Sequence, residues 1–270
     1  MIRSLAIVAA LMAASPVQAA QAGTPKPPPS AYDRCLAGPA ARTSAGEIAC
    51  VTAETRRQDA ILDRRYKSIV NNLRETEQGR EADSVASLRR GQQAWMAFRD
   101  ADCAVYASKT WGAAGELDAR KCVLERTSDR AGEIGFYADE DSDTPPPPSA
   151  VKKPKGPMSA YERCMSRPKE VWRMEAMACA AEEADRQDAR LNRAYKALLG
   201  RLGPSDRDAM RAAQRAWIAY RDGDRDFQLD DTMWGRDASA VYGEQLLDRT
   251  STRADQLEAF ITAHGLQAPR

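Results

Sequence analysis

Six cysteines carry the most readable chemistry in this chain: Cys35, Cys50, Cys103, Cys122, Cys164 and Cys179. Thiols can hold a metal, run a redox reaction or form structural bridges. No Cys-x-x-Cys pair occurs and the spacings are long, which argues against a zinc site. The rest of the catalytic repertoire is thin. His264 is the single histidine, expected in a frayed C-terminal tail. No Ser-His or Cys-His pattern and no Gly-rich phosphate loop is visible. Acidic residues are abundant, yet the sequence singles out no carboxylate pair for acid–base work. The stretch DGDRDFQLDD (222–231) has the acid density of a calcium loop. It fails because Phe227 stands where glycine is required and Met233 where the closing glutamate belongs. The expectation is a non-enzyme with no metal and no cofactor, whose thiols form disulfides.

The elements that position those thiols are written twice. SAYDRC (30–35) returns as SAYERC (159–164), and RQDAILDRRYK (57–67) as RQDARLNRAYK (186–196). QQAWMAFRDADC, ending at Cys103, returns as QRAWIAYRDGDR, ending at Arg225; LERTSDRA (124–131) returns as LDRTSTRA (247–254). Identical order in both halves marks a duplicated domain. The first two matches are offset by 129 residues and the tryptophan motif by 122, so the second copy is seven shorter in the connection between them.

The duplication also chooses the cysteine pairing. Four thiols in the first copy allow three connectivities. Cys35 and Cys50 persist as Cys164 and Cys179, with the same separation. Cys103 and Cys122 disappear together, as Arg225 and Gln245. Losing both members of a bridge strands no reactive thiol, so the expected bridges are Cys35–Cys50, Cys103–Cys122 and Cys164–Cys179. Each closes a short loop and contributes about 3 kcal/mol in the chain-entropy model.

Apolar spacing within each copy is helical. Leu62, Tyr66, Ile69 and Leu73 form one stripe, matched by Leu191, Tyr195, Leu198 and Leu202. Trp95 and Trp217 anchor the stripe of the next segment, and Leu124, Ala131 and Ile134 that of the last. No strand pattern of useful length appears. The fold class is all-α: two tandem small antiparallel bundles, each with about three long helices and a short leading one, stapled by disulfides.

Gln92, Trp95, Arg99 and Asp100, repeated as Gln214, Trp217, Arg221 and Asp222, form a polar-aromatic motif. It reads either as a binding face or as structure, with a half-buried Trp covering the bundle while Arg99 caps carbonyls or pairs with acids on a neighbouring helix. Trp111 and Trp234, each followed by glycine, are either exposed anchors for a partner or plugs for the bundle end. Asp224, Asp226, Asp230 and Asp231 make an acidic stretch that could dock a cationic protein.

The N-terminus carries Arg3, a short apolar run over 5–14 and a small-residue site at Val17-Gln18-Ala19, the form of a cleaved signal peptide over 1–19. A Pro-rich tether would follow over 20–29, then a first domain over 30–138. The charged, Pro-rich stretch 139–157 reads as a semi-rigid spacer between independently folded units, the second over 158–265. The expected location is the periplasm or outside the cell, with no stable membrane anchor. The net charge of +1 leaves no basic surplus for nucleic acid.

Together the early Cys pair, Leu62…Tyr66-Lys67, Gln92…Trp95…Phe98-Arg99-Asp100, the following Cys pair and the L-x-R-T-x-x-R-A ending resemble the LprI-type lysozyme-inhibitor domain, in tandem. The resemblance covers nearly all of both copies, and the second departs by lacking Cys103 and Cys122. It implies an exported helical protein that binds a protein partner, with a lysozyme-type muramidase as the target the family suggests. The alternatives are an envelope scaffold with two helical binding modules and an uncharacterised envelope hydrolase.

Overall fold

The computed structural model describes residues 29–76, 81–138, 160–166, 172–229 and 238–266. The short leading helix α1 (Ala31–Ala37) starts at a capping box. Ser30 Oγ accepts from the Asp33 amide at 3.0 Å, and Asp33 Oδ2 accepts from the Ser30 amide at 2.9 Å. That reciprocal bond satisfies donors a helix start otherwise leaves open. A 3₁₀ turn (Pro39–Arg42) leads into α2 (Ser44–Thr76), followed by α3 (Glu81–Tyr106), a second 3₁₀ turn (Lys109–Ala114) and α4 (Gly115–Ala138). Copy two repeats the order with α5 (Ala160–Met165), α6 (Trp172–Leu199), α7 (Pro204–Gly223), a four-residue α8 (Arg225–Gln228) and α9 (Ala238–Ala263). Pro204 opens α7, where its missing N–H costs no helical bond. Gly112, at φ 66°, makes the sharp turn between α3 and α4.

The expected stripes are the buried ones. Leu62, Ile69 and Leu73 face the interior from α2, and Leu191 and Leu198 from α6, with Leu202 just beyond. All three expected disulfides are present. Cys35–Cys50 ties α1 to α2, Cys103–Cys122 ties α3 to α4, and Cys164–Cys179 ties α5 to α6, with Cα separations of 5.7, 5.5 and 5.8 Å.

Within each copy the first long helix packs along the last, α2 on α4 and α6 on α9. The middle helices pack mainly on each other: α3 of copy one lies along α7 of copy two. They run antiparallel. Ser108, just past the end of α3, bonds Asp206 at the start of α7, while Gly91 in α3 abuts Asp224 beyond the end of α7. One apolar cluster therefore contains Leu62, Trp95 and Ile134 together with Leu191, Trp217 and Leu257. The two repeats expected over 30–138 and 158–265 therefore share one core. Each middle helix packs its Trp stripe largely against the middle helix of the other copy. The spacer 139–157 lies outside the described residues, as do the signal segment expected over 1–19 and residues 20–28 of the tether expected over 20–29.

The dropped cysteine pair is also accounted for. Gln245, which replaces Cys122, accepts a hydrogen bond from the Tyr137 hydroxyl of copy one at 2.6 Å. Phe227 of α8 packs edge-on against the same Tyr137 ring at 5.2 Å. Where copy one has a covalent tie between its own helices, copy two has a contact with the other copy.

Candidate functional site

The acid at the end of each tryptophan motif is buried and receives two arginines, one from each copy. Asp102 on α3 accepts from Arg126 of α4, Nε to Oδ2 at 3.0 Å, and from Arg253 of α9, Nη1 to Oδ1 at 2.7 Å. Asp224, after α7, accepts from Arg249 of α9, Nη2 to Oδ2 at 2.7 Å. It also receives a two-pronged grip from Arg130 of α4, at 2.5 and 3.1 Å. Gln92 accepts from Arg130 Nε and Gln214 from Arg253 Nε, each at 3.1 Å. The arrangement is a pseudo-twofold: the second arginine of each R-T-x-x-R segment bonds the Gln of its own copy and the Asp of the other, and the first bonds the Asp of its own copy. Arginines four apart share one helix face, which is why one segment reaches both aspartates.

Burial alone would push the Asp102 carboxyl up, but Arg253 and Arg126 outweigh it and hold it below its usual range. Asp224 shows the same balance between burial and the cations of Arg130 and Arg249. Both stay ionised, since a buried charge persists only when paired and hydrogen-bonded.

The aromatic residues complete the seam. Phe98 and Tyr220 stack across the copy boundary, 5.6 Å apart and 6° from parallel. Arg253 lies over Phe98 at 5.2 Å, and Arg130 and Arg249 over Tyr220 at 5.4 and 4.8 Å. Trp95 and Trp217 are buried beneath Arg99 and Arg221, at 5.0 and 5.3 Å. A cleft of about 30 Å³ opens here, with Trp95, Trp217 and Arg253 among its lining residues.

The motif residues thus divide by depth. Gln92, Trp95, Gln214 and Trp217 belong to the seam. Arg99 and Arg221 pair with their chain neighbours Asp100 and Asp222 at 2.9 and 2.8 Å, rather than with a neighbouring helix. Asp100 and Asp222 are exposed. Asp224 departs from the acidic docking surface expected of it: only 2% exposed, it is occupied by Arg130 and Arg249. Trp111 turns inward. Its indole donates to the Val105 carbonyl at 2.8 Å and packs against Phe260 and His264. His264 is likewise held, stacked on Phe260 at 4.1 Å, where a frayed tail was expected. Trp234, Asp230 and Asp231 lie outside the described residues, as does the side chain of Asp226. Among the described residues no group of His, Cys, Asp and Glu could hold a metal, and no helix is long and apolar enough to cross a membrane.

The family model described as Lysozyme inhibitor LprI matches residues 35–134 and again 164–257. The chain belongs to the LprI lysozyme-inhibitor family. Two matches in register with the duplication make it a tandem member of that inhibitor family. Among solved structures, it is similar to a putative uncharacterized protein from Burkholderia thailandensis, with 21% identity and a TM-score of 0.55, over 85% of this chain and 94% of that one. That likeness speaks to the fold. No curated protein matches the chain.

Arg126, Arg130, Arg249 and Arg253 organise this LprI seam, and the sequence reading assigned them no role. The signal was available. R-T-x-x-R is kept in both copies while a whole cysteine pair is lost, and each copy also keeps one Asp at the end of the Trp motif.

Proposed function

We propose that this chain is an exported, non-enzymatic inhibitor that binds a lysozyme-type muramidase, with repeats spanning 30–138 and 158–265. The observation that carries this reading is the match of both copies to the inhibitor family. The contact face we favour is the outer side of the tryptophan motif. Met96 and Ile218, at corresponding positions, are each 40% exposed, unusual for large apolar side chains here. Each precedes an ion pair, Arg99–Asp100 or Arg221–Asp222, at helical spacing on the same face. An apolar anchor beside exposed carboxylates suits a cationic protein surface, since charge complementarity steers such encounters. The signal-like N-terminus and the three disulfides, which persist in oxidising compartments, support export.

The test is a cell-wall clearing assay with a purified lysozyme and the full-length oxidised chain. Clearing should slow at near-stoichiometric dose, and Asp100→Lys with Asp222→Lys should relieve the inhibition while the helical circular dichroism stays unchanged. Undiminished clearing at large molar excess would discard the reading. A full effect from the doubly charge-reversed chain would discard the assigned face.

A further inference from the structure

The three bridges differ in what they hold and in how open they are. Cys103 and Cys122 are 4% and 3% exposed and join α3 to α4, two helices that both contribute side chains to the core. Cys35–Cys50 is unlike them. Cys50 is 2% exposed, on a helix that packs along α4, while its partner Cys35 is exposed. Lys121 of α4 pairs with Glu47 at 2.7 Å, so the start of α2 is tied to α4 as well. Cys164, the counterpart of Cys35, is half-buried.

No residue of α1 joins the apolar cluster. Of its seven residues Tyr32 is half-buried and the other six are exposed, Leu36 among them. Its cap bonds, between Ser30 and Asp33, close on the helix itself, and Arg34 donates to the Pro29 carbonyl just before it. The next segment is anchored differently. A Cβ at Gly46 would come within 1.7 Å of the Ala40 carbonyl oxygen, so the 3₁₀ turn sits hard against the start of α2. A helix well below about 12 residues does not persist by propensity alone. The bridge is therefore the main tie between α1 and the bundle, and it holds Tyr32 in place. Tyr32 is the aromatic wall of a groove of about 300 Å³, lined also by Glu54 and Gln58 of α2 and by Lys121 and Leu124 of α4.

We propose that Cys35–Cys50 is a redox latch: a dithiol opens it ahead of the other two bridges and frees α1, with Tyr32, from a bundle that stays folded. The step is thiol–disulfide exchange, whose rate depends on access to the attacked sulfur. One thiolate of the dithiol attacks Sγ of Cys35, the exposed member of the pair. The bond between the two protein sulfurs breaks, and Cys50 Sγ leaves with the electron pair and takes a proton. The second thiol, as thiolate, attacks the reductant's own sulfur in the mixed disulfide and releases Cys35, which is protonated in turn. The bridge gains two electrons and two protons, and the dithiol ends as a disulfide. Cys103 and Cys122 are both buried, so neither offers an attacking thiolate the same approach. The groove beside Tyr32 is complete only in the oxidised chain. This inference is independent of which enzyme the chain inhibits.

The experiment holds the full-length oxidised chain in native buffer with dithiothreitol, quenches samples with iodoacetamide at intervals and maps the bridges by peptide mass spectrometry. The Cys35–Cys50 linkage should disappear at least about tenfold faster than Cys103–Cys122, with Cys164–Cys179 between them. While only the first bridge is open, brief trypsin treatment should cut after Arg34 much faster than in the oxidised chain, because cleavage needs α1 to open. Fluorescence of the buried Trp95 and Trp217 should stay as it was. Cys35→Ser with Cys50→Ser should show the fast cut without reductant, and a smaller fall in Tm than Cys103→Ser with Cys122→Ser. Loss of all three bridges together, or of Cys103–Cys122 first, overturns the proposal. So does a rate of cutting after Arg34 that opening the bridge leaves unchanged, or tryptophan fluorescence that collapses with the first bridge.

Discussion

Arg253 crosses from the second copy to bond Asp102 in the first, Nη1 to Oδ1 at 2.7 Å, with both side chains all but sealed from solvent. The reciprocal pair, Arg130 on Asp224, crosses the other way. These two bonds tie the copies across the seam, beside the packing of α3 on α7, so their removal should be felt on both sides of it.

Asp102→Asn leaves Arg126 and Arg253 facing a neutral amide. Breaking a buried pair on one side costs about 3–5 kcal/mol, because the remaining charge stays buried without compensation. The expected outcome is a loss of that size in urea unfolding, and a similar loss for Asp224→Asn. A change within the error of an exposed-site control would show that the seam tolerates the unpaired cations.

Acid should loosen the same seam. Asp102 and Asp224 titrate lower in the folded chain than in the unfolded one. Their contribution is therefore complete above the unfolded carboxyl value of about 3.9 and fades as pH falls below it through the folded values. Urea midpoints measured from pH 6 downward should drop below about pH 4. The drop should be shallower in Asp102→Asn, which has already lost one of the titrating groups.

Gly91→Ala sets two effects against each other. Helix propensity favours alanine by about 0.5–1 kcal/mol. A Cβ at this position would come within 1.8 Å of Asp224 Oδ1, a carboxylate fixed by Arg130 and Arg249. Displacing it disturbs a buried ion pair, which outweighs the propensity gain, so the variant should be less stable than wild type. A higher Tm for Gly91→Ala would contradict the close packing of α3 against Asp224.

Much of this architecture was legible in the chain, for a physical reason. Repetition shows which cysteines leave together, so the bridges could be paired before any coordinates. Periodicity shows which side of α2 or α6 is apolar, and Leu62, Ile69 and Leu198 are buried as that pattern requires. The grip between copies was not legible from periodicity. Two arginines four apart look the same whether they face water, their own bundle or the other one. Asp224 reads as surface among its acidic neighbours because charge density along the chain carries no information about depth. Only the joint repetition of R-T-x-x-R with a terminal Asp pointed inward.

The Cys103–Cys122 bridge can be tested against its replacement. Changing both cysteines to serine should cost about 3 kcal/mol in the loop-entropy account. Tyr137→Phe, which removes only the hydroxyl bound to Gln245, should cost about 1 kcal/mol, the net worth of one hydrogen bond. Equal losses would mean that the covalent tie does little beyond its contact with neighbouring side chains.

The crossed pairing of α3 with α7 changes what a cut in the chain would mean. A protease that severed the proline-rich stretch between the repeats would give two bands on a denaturing gel. In native buffer the fragments should still travel together, each holding the other's aspartate. On that outcome the spacer's work would be finished once the first encounter had been made.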